Sequence, residues 1–182
     1  MHPLARGRLA GYLLDSSGYL GIAAAMLPLG ASVNLLTDLA SHRGYAYAIS
    51  AVPPAIATVI ATRAESGDRR ATWGKHRRGL QVVEDRREDS DASGTPLSAS
   101  RALLRNTVKI FVPWQLAHVT GVGAAWGGFE KREPVTCSAA VLTYATIAVF
   151  AVMCLRGSGR GPHDLAAGSV VIPVPATAPR SR

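Results

Sequence analysis

The sequence predicts an all-α, polytopic membrane protein with about four transmembrane helices and a cytoplasmic middle loop. Three observations predict it. The 182 residues are 48% hydrophobic and only 18% charged. Four windows carry no Asp, Glu, Lys or Arg: 16–37, 44–62, 110–129 and 134–155. Each is close to the ~20 residues that carry a helix across ~30 Å of hydrocarbon. The third observation is where the basic residues fall. If the four windows are spans, seventeen of the 20 Lys and Arg lie on one side and three on the other. Basic residues near span ends stay cytoplasmic, so both termini and the middle loop are expected inside, in the cell membrane. A soluble α/β enzyme spreads charge along every surface helix, so the four gaps exclude that class. The formal net charge of +8 then reads as orientation plus attraction to anionic headgroups, not as a nucleic-acid surface.

The first span is read at about 9–36. A basic start followed by apolar residues resembles a signal peptide, but Asp15, Ser16 and Ser17 interrupt it and the apolar stretch runs on to Leu36. It is expected to be retained, with a kink at Pro28. The second span, about 46–62, contains Pro53-Pro54, which bend or break a helix. In the middle loop, 69–79 is basic with Trp73 and is expected at headgroup level as a short interfacial helix. Leu80 to Val83 is a brief β-like apolar run. Residues 84–95 hold five acids among twelve and read as a mobile turn. Ser98 is a plausible N-cap for the helix after it. The third span, about 110–128, is the least apolar, with Pro113, Gln115 and His118; it reads as a broken or re-entrant helix. The fourth, about 135–155, is clean. Residues 1–172 make one transmembrane domain, and 173–182 a disordered Pro-rich tail.

Few residues invite chemistry. Asp15 is the single ionisable residue inside the first span, and a charge in such a place has a partner or a wet cavity. Arg8 is seven residues earlier on the same helix face, too far for a direct bond. Gly74-Lys75 lacks the upstream glycine and following Ser or Thr of a phosphate loop. Lys75, Arg77 and Arg78 are expected to face headgroups. His163-Asp164 has no nucleophile to serve. The histidines show no metal spacing, and Cys137 and Cys154 are too far apart on one helix for a disulfide. No enzyme, metal or cofactor is expected.

Four segments in order, "RLAGYLLD" (8–15), "ATWGKHRRGLQVV" (71–83), "LLRN" (103–106) and "HDLAAGSVV" (163–171), resemble the RDD family of membrane proteins. The family is named for an Arg and two Asp, which the resemblance places at Arg8, Asp15 and Asp164. Gly74, Lys75, Gly79, Arg105 and His163 are the supporting motif positions. The sequence departs from the pattern at His76-Arg77-Arg78, where an apolar pair is usual, and at Ser169, where Thr is common. The resemblance implies a small prokaryotic membrane protein, with transport or ion exchange the usual suggestion. Two functions are therefore expected: cation/proton exchange through membrane carboxylates, or a non-catalytic membrane scaffold or assembly partner. The expected partners are the bilayer with its anionic headgroups and a second copy or another membrane protein. In either case Asp15 and Asp164 are expected to approach Arg8 as one electrostatic cluster.

Overall fold

The computed structural model describes residues 2–85 and 94–174. Helices α1 (Ala5–Ala25) and α2 (Leu27–Leu36) form one apolar stretch of 32 residues. It is interrupted at Met26. Pro28 sits in the first turn of α2, where its missing N–H leaves nothing unpaired. A short 3₁₀ turn (Asp38–Ser41) follows, with the Thr37 hydroxyl accepting from the Leu39 N–H at 3.3 Å. Helices α3 (Arg43–Ser50) and α4 (Val52–Ser66) make a second apolar stretch of 24 residues. The break between them falls at Ala51, just before Pro53-Pro54 in the first turn of α4, where the sequence predicts a bend or break. Pro54 has no N–H for the Ser50 carbonyl one turn back. That carbonyl instead accepts from His118 Nδ1 at 2.7 Å. Orphaned backbone groups inside a membrane must find such a partner, which gives the polar residues of the third apolar window a structural role.

Helix α5 (Trp73–Arg77) and strand β1 (Leu80–Glu84) occupy the loop, and α6 (Ala99–Asn106) follows, with the Ser98 hydroxyl accepting from the Arg101 N–H at 3.4 Å. A π-helical turn (Thr107–Phe111) leads directly into α7 (Val112–Ala125). Pro113 removes one backbone donor there, and a π turn absorbs such an irregularity. Helix α8 (Pro134–Leu155), the short α9 (Pro162–Ala166) and strand β2 (Ser169–Pro173) complete the chain.

Two corrections to the sequence reading follow. The protein is mostly but not wholly helical: β1 and β2 pair antiparallel, from Leu80↔Pro173 to Glu84↔Ser169. A two-stranded ribbon is marginal alone. Here Leu80, Val82 and Val171 pack on Leu97 and Ala102, with Leu4 against them. Pro173, assigned to the tail, is thus a paired residue; the rest of the expected tail, from 175, lies outside the described residues, as does 86–93 of the acidic turn. The expected third span, 110–128, holds the end of the π turn and the 14-residue α7, which alone rises about 21 Å. Among the described residues, three stretches are long and apolar enough to cross a membrane: Ala5–Leu36, Arg43–Ser66 and Pro134–Leu155.

The burial pattern is that of a membrane protein. In the first and last of these stretches only 6% of the apolar window is buried, so residues such as Leu20, Leu27, Leu35 and Val141 face outward. The interior holds polar side chains instead, among them Glu65, Arg105, Asn106 and Asp164. Tyr19, Ala57, Ala61 and Ile110 form the apolar part of the core, and Tyr19 meets Trp114 edge-on at 6.3 Å. Helices α7 and α8 close as a hairpin on Gly123, where a Cβ would stand 2.1 Å from Thr136 Oγ1. Small residues let helices approach in lipid. Arg43, at the start of α3, pairs with Glu133, at the start of α8. This ties the two short loops together at one end of the bundle.

Candidate functional site

The opposite end gathers the start of α1, the end of α4, α5, α6 and the segment after α8. The His2 N–H donates to the Leu155 carbonyl at 3.0 Å, which seats the first turn of α1 beside the last of α8. From α1, Arg8 then reaches both the Gly159 carbonyl, at 2.5 Å, and Asp164 Oδ2, at 2.6 Å. Asp164 stands at the third position of α9, where it also accepts from the Gly161 N–H at 3.0 Å. A carboxylate in a first turn satisfies an orphan donor and complements the helix dipole.

Arg105 is the centre of the arrangement and is fully buried. Its guanidinium spans two carboxylates. One terminal nitrogen lies 2.7 Å from each Glu65 oxygen. The other donates to Asp164 Oδ1 at 2.8 Å, and Nε lies 3.2 Å from both Asp164 Oδ1 and Ser169 Oγ. Glu65 also accepts from Lys75 Nζ at 2.7 Å and Asn106 Nδ2 at 2.9 Å. Arg, with its planar fork of five donors, suits this bridging better than Lys. The Asp164 carboxyl would be raised by burial, but its cationic surroundings, Arg105 foremost, outweigh that and hold it well below the usual carboxylate range. Arg105 is likewise pushed up: burial opposes its charge, and Glu65 and Asp164 overcome it. His163, beside Asp164, is driven well below the usual imidazole range by burial. Its neutral ring stacks on Phe150 at 5.2 Å.

Asp15 belongs to a second knot. It accepts from the Thr72 hydroxyl at 2.5 Å and from the Gly74 N–H at 2.7 Å. Thr72 in turn accepts from Lys75 Nζ at 3.2 Å, so a hydroxyl links the two knots. The approach of α5 to α1 is closest at Gly74, where a Cβ would stand 2.1 Å from the Gly11 carbonyl oxygen. Gly79, with φ +62°, makes the left-handed turn from α5 into β1, a conformation that glycine adopts freely.

The expected single cluster of Arg8, Asp15 and Asp164 is therefore divided. Arg8 and Asp164 pair directly. Among the described residues no hydrogen bond or ion pair joins Asp15 to Arg8, because seven residues of helix separate them and α5 fills the space beside Asp15. Lys75 is a second correction: it is 6% exposed and bonded to Glu65, not turned to headgroups. Trp73, 54% exposed with Arg77 over its ring, has the outward position expected of that segment. The sequence reading passed over Glu65, Asn106 and Lys109. Glu65 had a signal: it follows Ala57 and Ala61 at four-residue steps, on the one face of α4 that is buried. Between α1 and α8 lies a cavity of about 340 Å³ that reaches Arg8, Lys75, Arg105 and Lys109. Among the described residues there is no group of three or more His, Cys, Asp or Glu placed to hold a metal.

Neither a curated protein nor a solved structure matches the chain. A family model does. The model described as RDD family matches residues 3–168, a range that contains Arg8, Asp15, Arg105 and Asp164 and leaves out the first two residues, β2 and the tail, and the chain belongs to the RDD family.

Proposed function

We propose that this RDD protein is a non-catalytic membrane scaffold, whose ion-pair network locks the span ends and the middle loop into one unit. One observation carries the reading: the buried carboxylates Glu65 and Asp164 are each held by fixed cations, Arg105 being shared between them. A carboxylate so compensated is a poor carrier of exchangeable protons or cations. A second reading, cation/proton exchange, is favoured by Asp15 alone, which is 5% exposed and, among the described residues, receives only neutral donors. In that reading Asp15 is the exchanging group.

Proteoliposome flux and detergent stability of Asp15→Asn separate the two. The scaffold reading expects wild-type vesicles to show no cation-driven proton flux above protein-free ones. It expects Asp15→Asn to lose about 1–3 kcal/mol, the cost of stranding a buried donor. Adding Arg8→Gln should restore nothing, with the two losses additive within about 0.5 kcal/mol, since the pair shares no bond. Wild-type flux that vanishes in a well-folded Asp15→Asn would overturn the scaffold in favour of exchange.

The proposed topology has four crossings, with α7 as the third and both termini cytoplasmic. It is supported by the basic-residue bias and by the gathering of the N-terminus, the middle loop and the chain after α8 at one end. A reporter fused after Arg182 should read cytoplasmic; an external readout means an odd number of crossings.

A further inference from the structure

The cavity between α1 and α8 has two chemically different parts. Helix α8 packs on α7 and α9, while α1 packs on α4 and α5, so the two leave a gap between them. Its walls are apolar: Leu9 and Tyr12 from α1, and Ile147, Phe150, Ala151 and Leu155 from α8 or its end. Leu9 and Ile147 are more than half exposed, so the gap opens sideways onto the apolar belt. Its floor is cationic, with Arg8, Lys75, Arg105 and Lys109. Three of these cations have carboxylate partners: Arg8 with Asp164, Lys75 with Glu65, Arg105 with both. Lys109 does not. It is 9% exposed, its ammonium lies 5.7 Å from the centre of the Tyr12 ring, and among the described residues no carboxylate reaches it within ion-pair distance.

A buried, unpaired ammonium is strongly unfavourable, and a ring face offsets only part of that. An anion in the cavity would complete the pairing. The walls decide what kind of anion. A hydrophilic anion would strip its water against hydrocarbon on most sides, whereas an anion carrying an acyl chain would bury that chain along Leu9, Ile147 and Phe150. Arg8 and Lys109 lie just before the apolar spans read from 9 and 110, where the ends of spans meet headgroups. We propose that this cavity is a specific site for an anionic phospholipid, with its phosphate on Lys109 and one acyl chain between α1 and α8. The site is independent of the scaffold reading.

The test is native mass spectrometry of the full chain extracted from nanodiscs of equimolar phosphatidylglycerol and phosphatidylcholine. Wild type should retain phosphatidylglycerol over phosphatidylcholine by about fivefold, the worth of one basic contact. Lys109→Gln should bring the ratio near one, while Lys109→Arg keeps it. Ala151→Trp fills the gap without touching the ion pairs and should also remove the preference, which keeps the test decisive if Lys109→Gln fails to fold. Excess inorganic phosphate should leave the ratio unchanged. A wild-type ratio near one overturns the proposal. So does a preference that survives both Lys109→Gln and Ala151→Trp, which would belong to the surface basic residues. Displacement of the lipid by inorganic phosphate would mark a free-anion site instead and overturn the lipid assignment.

Discussion

Arg105→Met should destabilise the detergent-solubilised protein by about 3–5 kcal/mol, the range for removing one member of a buried ionic group. The size follows from the geometry. The substitution deletes contacts to both Glu65 oxygens, to Asp164 Oδ1 and to Ser169. It leaves two carboxylates, both fully buried, on a site that has lost one positive charge. Lys75, Asn106 and Arg8 still hold their own oxygens, which keeps the loss from growing further. Arg105→Lys should recover part of it, since an ammonium keeps the charge but cannot fork between Glu65 on α4 and Asp164 on α9. The measurement is the thermal unfolding midpoint of wild type and both variants in one detergent. A midpoint for Arg105→Met indistinguishable from wild type would show that the network does not hold α4, α6 and α9 together.

What was legible in the sequence depended on scale. Three apolar stretches were readable because absence of charge over twenty residues is a coarse property that survives any detail of packing. The breaks just before Pro28 and Pro53-Pro54 were readable because proline acts through its own backbone. The third window was ambiguous for a reason the fold supplies. Its His118 serves the Ser50 carbonyl that Pro54 leaves unpaired, and that need lies on a different helix. The strand β2 was hidden because a short apolar run, Val170 to Pro173, has the same composition whether it pairs or merely packs. The family motifs drew attention to Arg8, Asp15, Asp164 and Arg105, but their shared place at one end of the spans suggested one cluster where there are two. The true partners of Asp15, Thr72 and Gly74, are more than fifty residues away, and no local pattern encodes that. Glu65 drew no attention, although its four-residue phase with Ala57 and Ala61 placed it on the buried face.

Gly74→Ala should cost about 3 kcal/mol or more, and by a route that propensity alone would misjudge. In the interior of a free helix, alanine is favoured over glycine by about 1 kcal/mol, so a sequence argument expects a stabilised α5. The tertiary contact reverses the sign. An added Cβ would stand 2.1 Å from the Gly11 carbonyl oxygen and 2.9 Å from Asp15 Oδ1. The nearer obstacle is backbone of α1 and has no rotamer to change, so α5 must move away. Overpacking of this kind costs about 1–3 kcal/mol. The movement also breaks the 2.7 Å bond from the Gly74 N–H to Asp15, stranding a buried carboxylate oxygen for about 1–3 kcal/mol more. Gly79→Ala is the matched control. It sits at φ +62° with nothing within 4 Å of the added carbon, so it bears only the left-handed backbone cost of about 1–2 kcal/mol. Thermal unfolding of the two variants in the same detergent should therefore rank Gly74→Ala well below Gly79→Ala. The reverse order would mean that α5 is free to lift from α1, and that Asp15 does not depend on the Gly74 amide for its place in the fold.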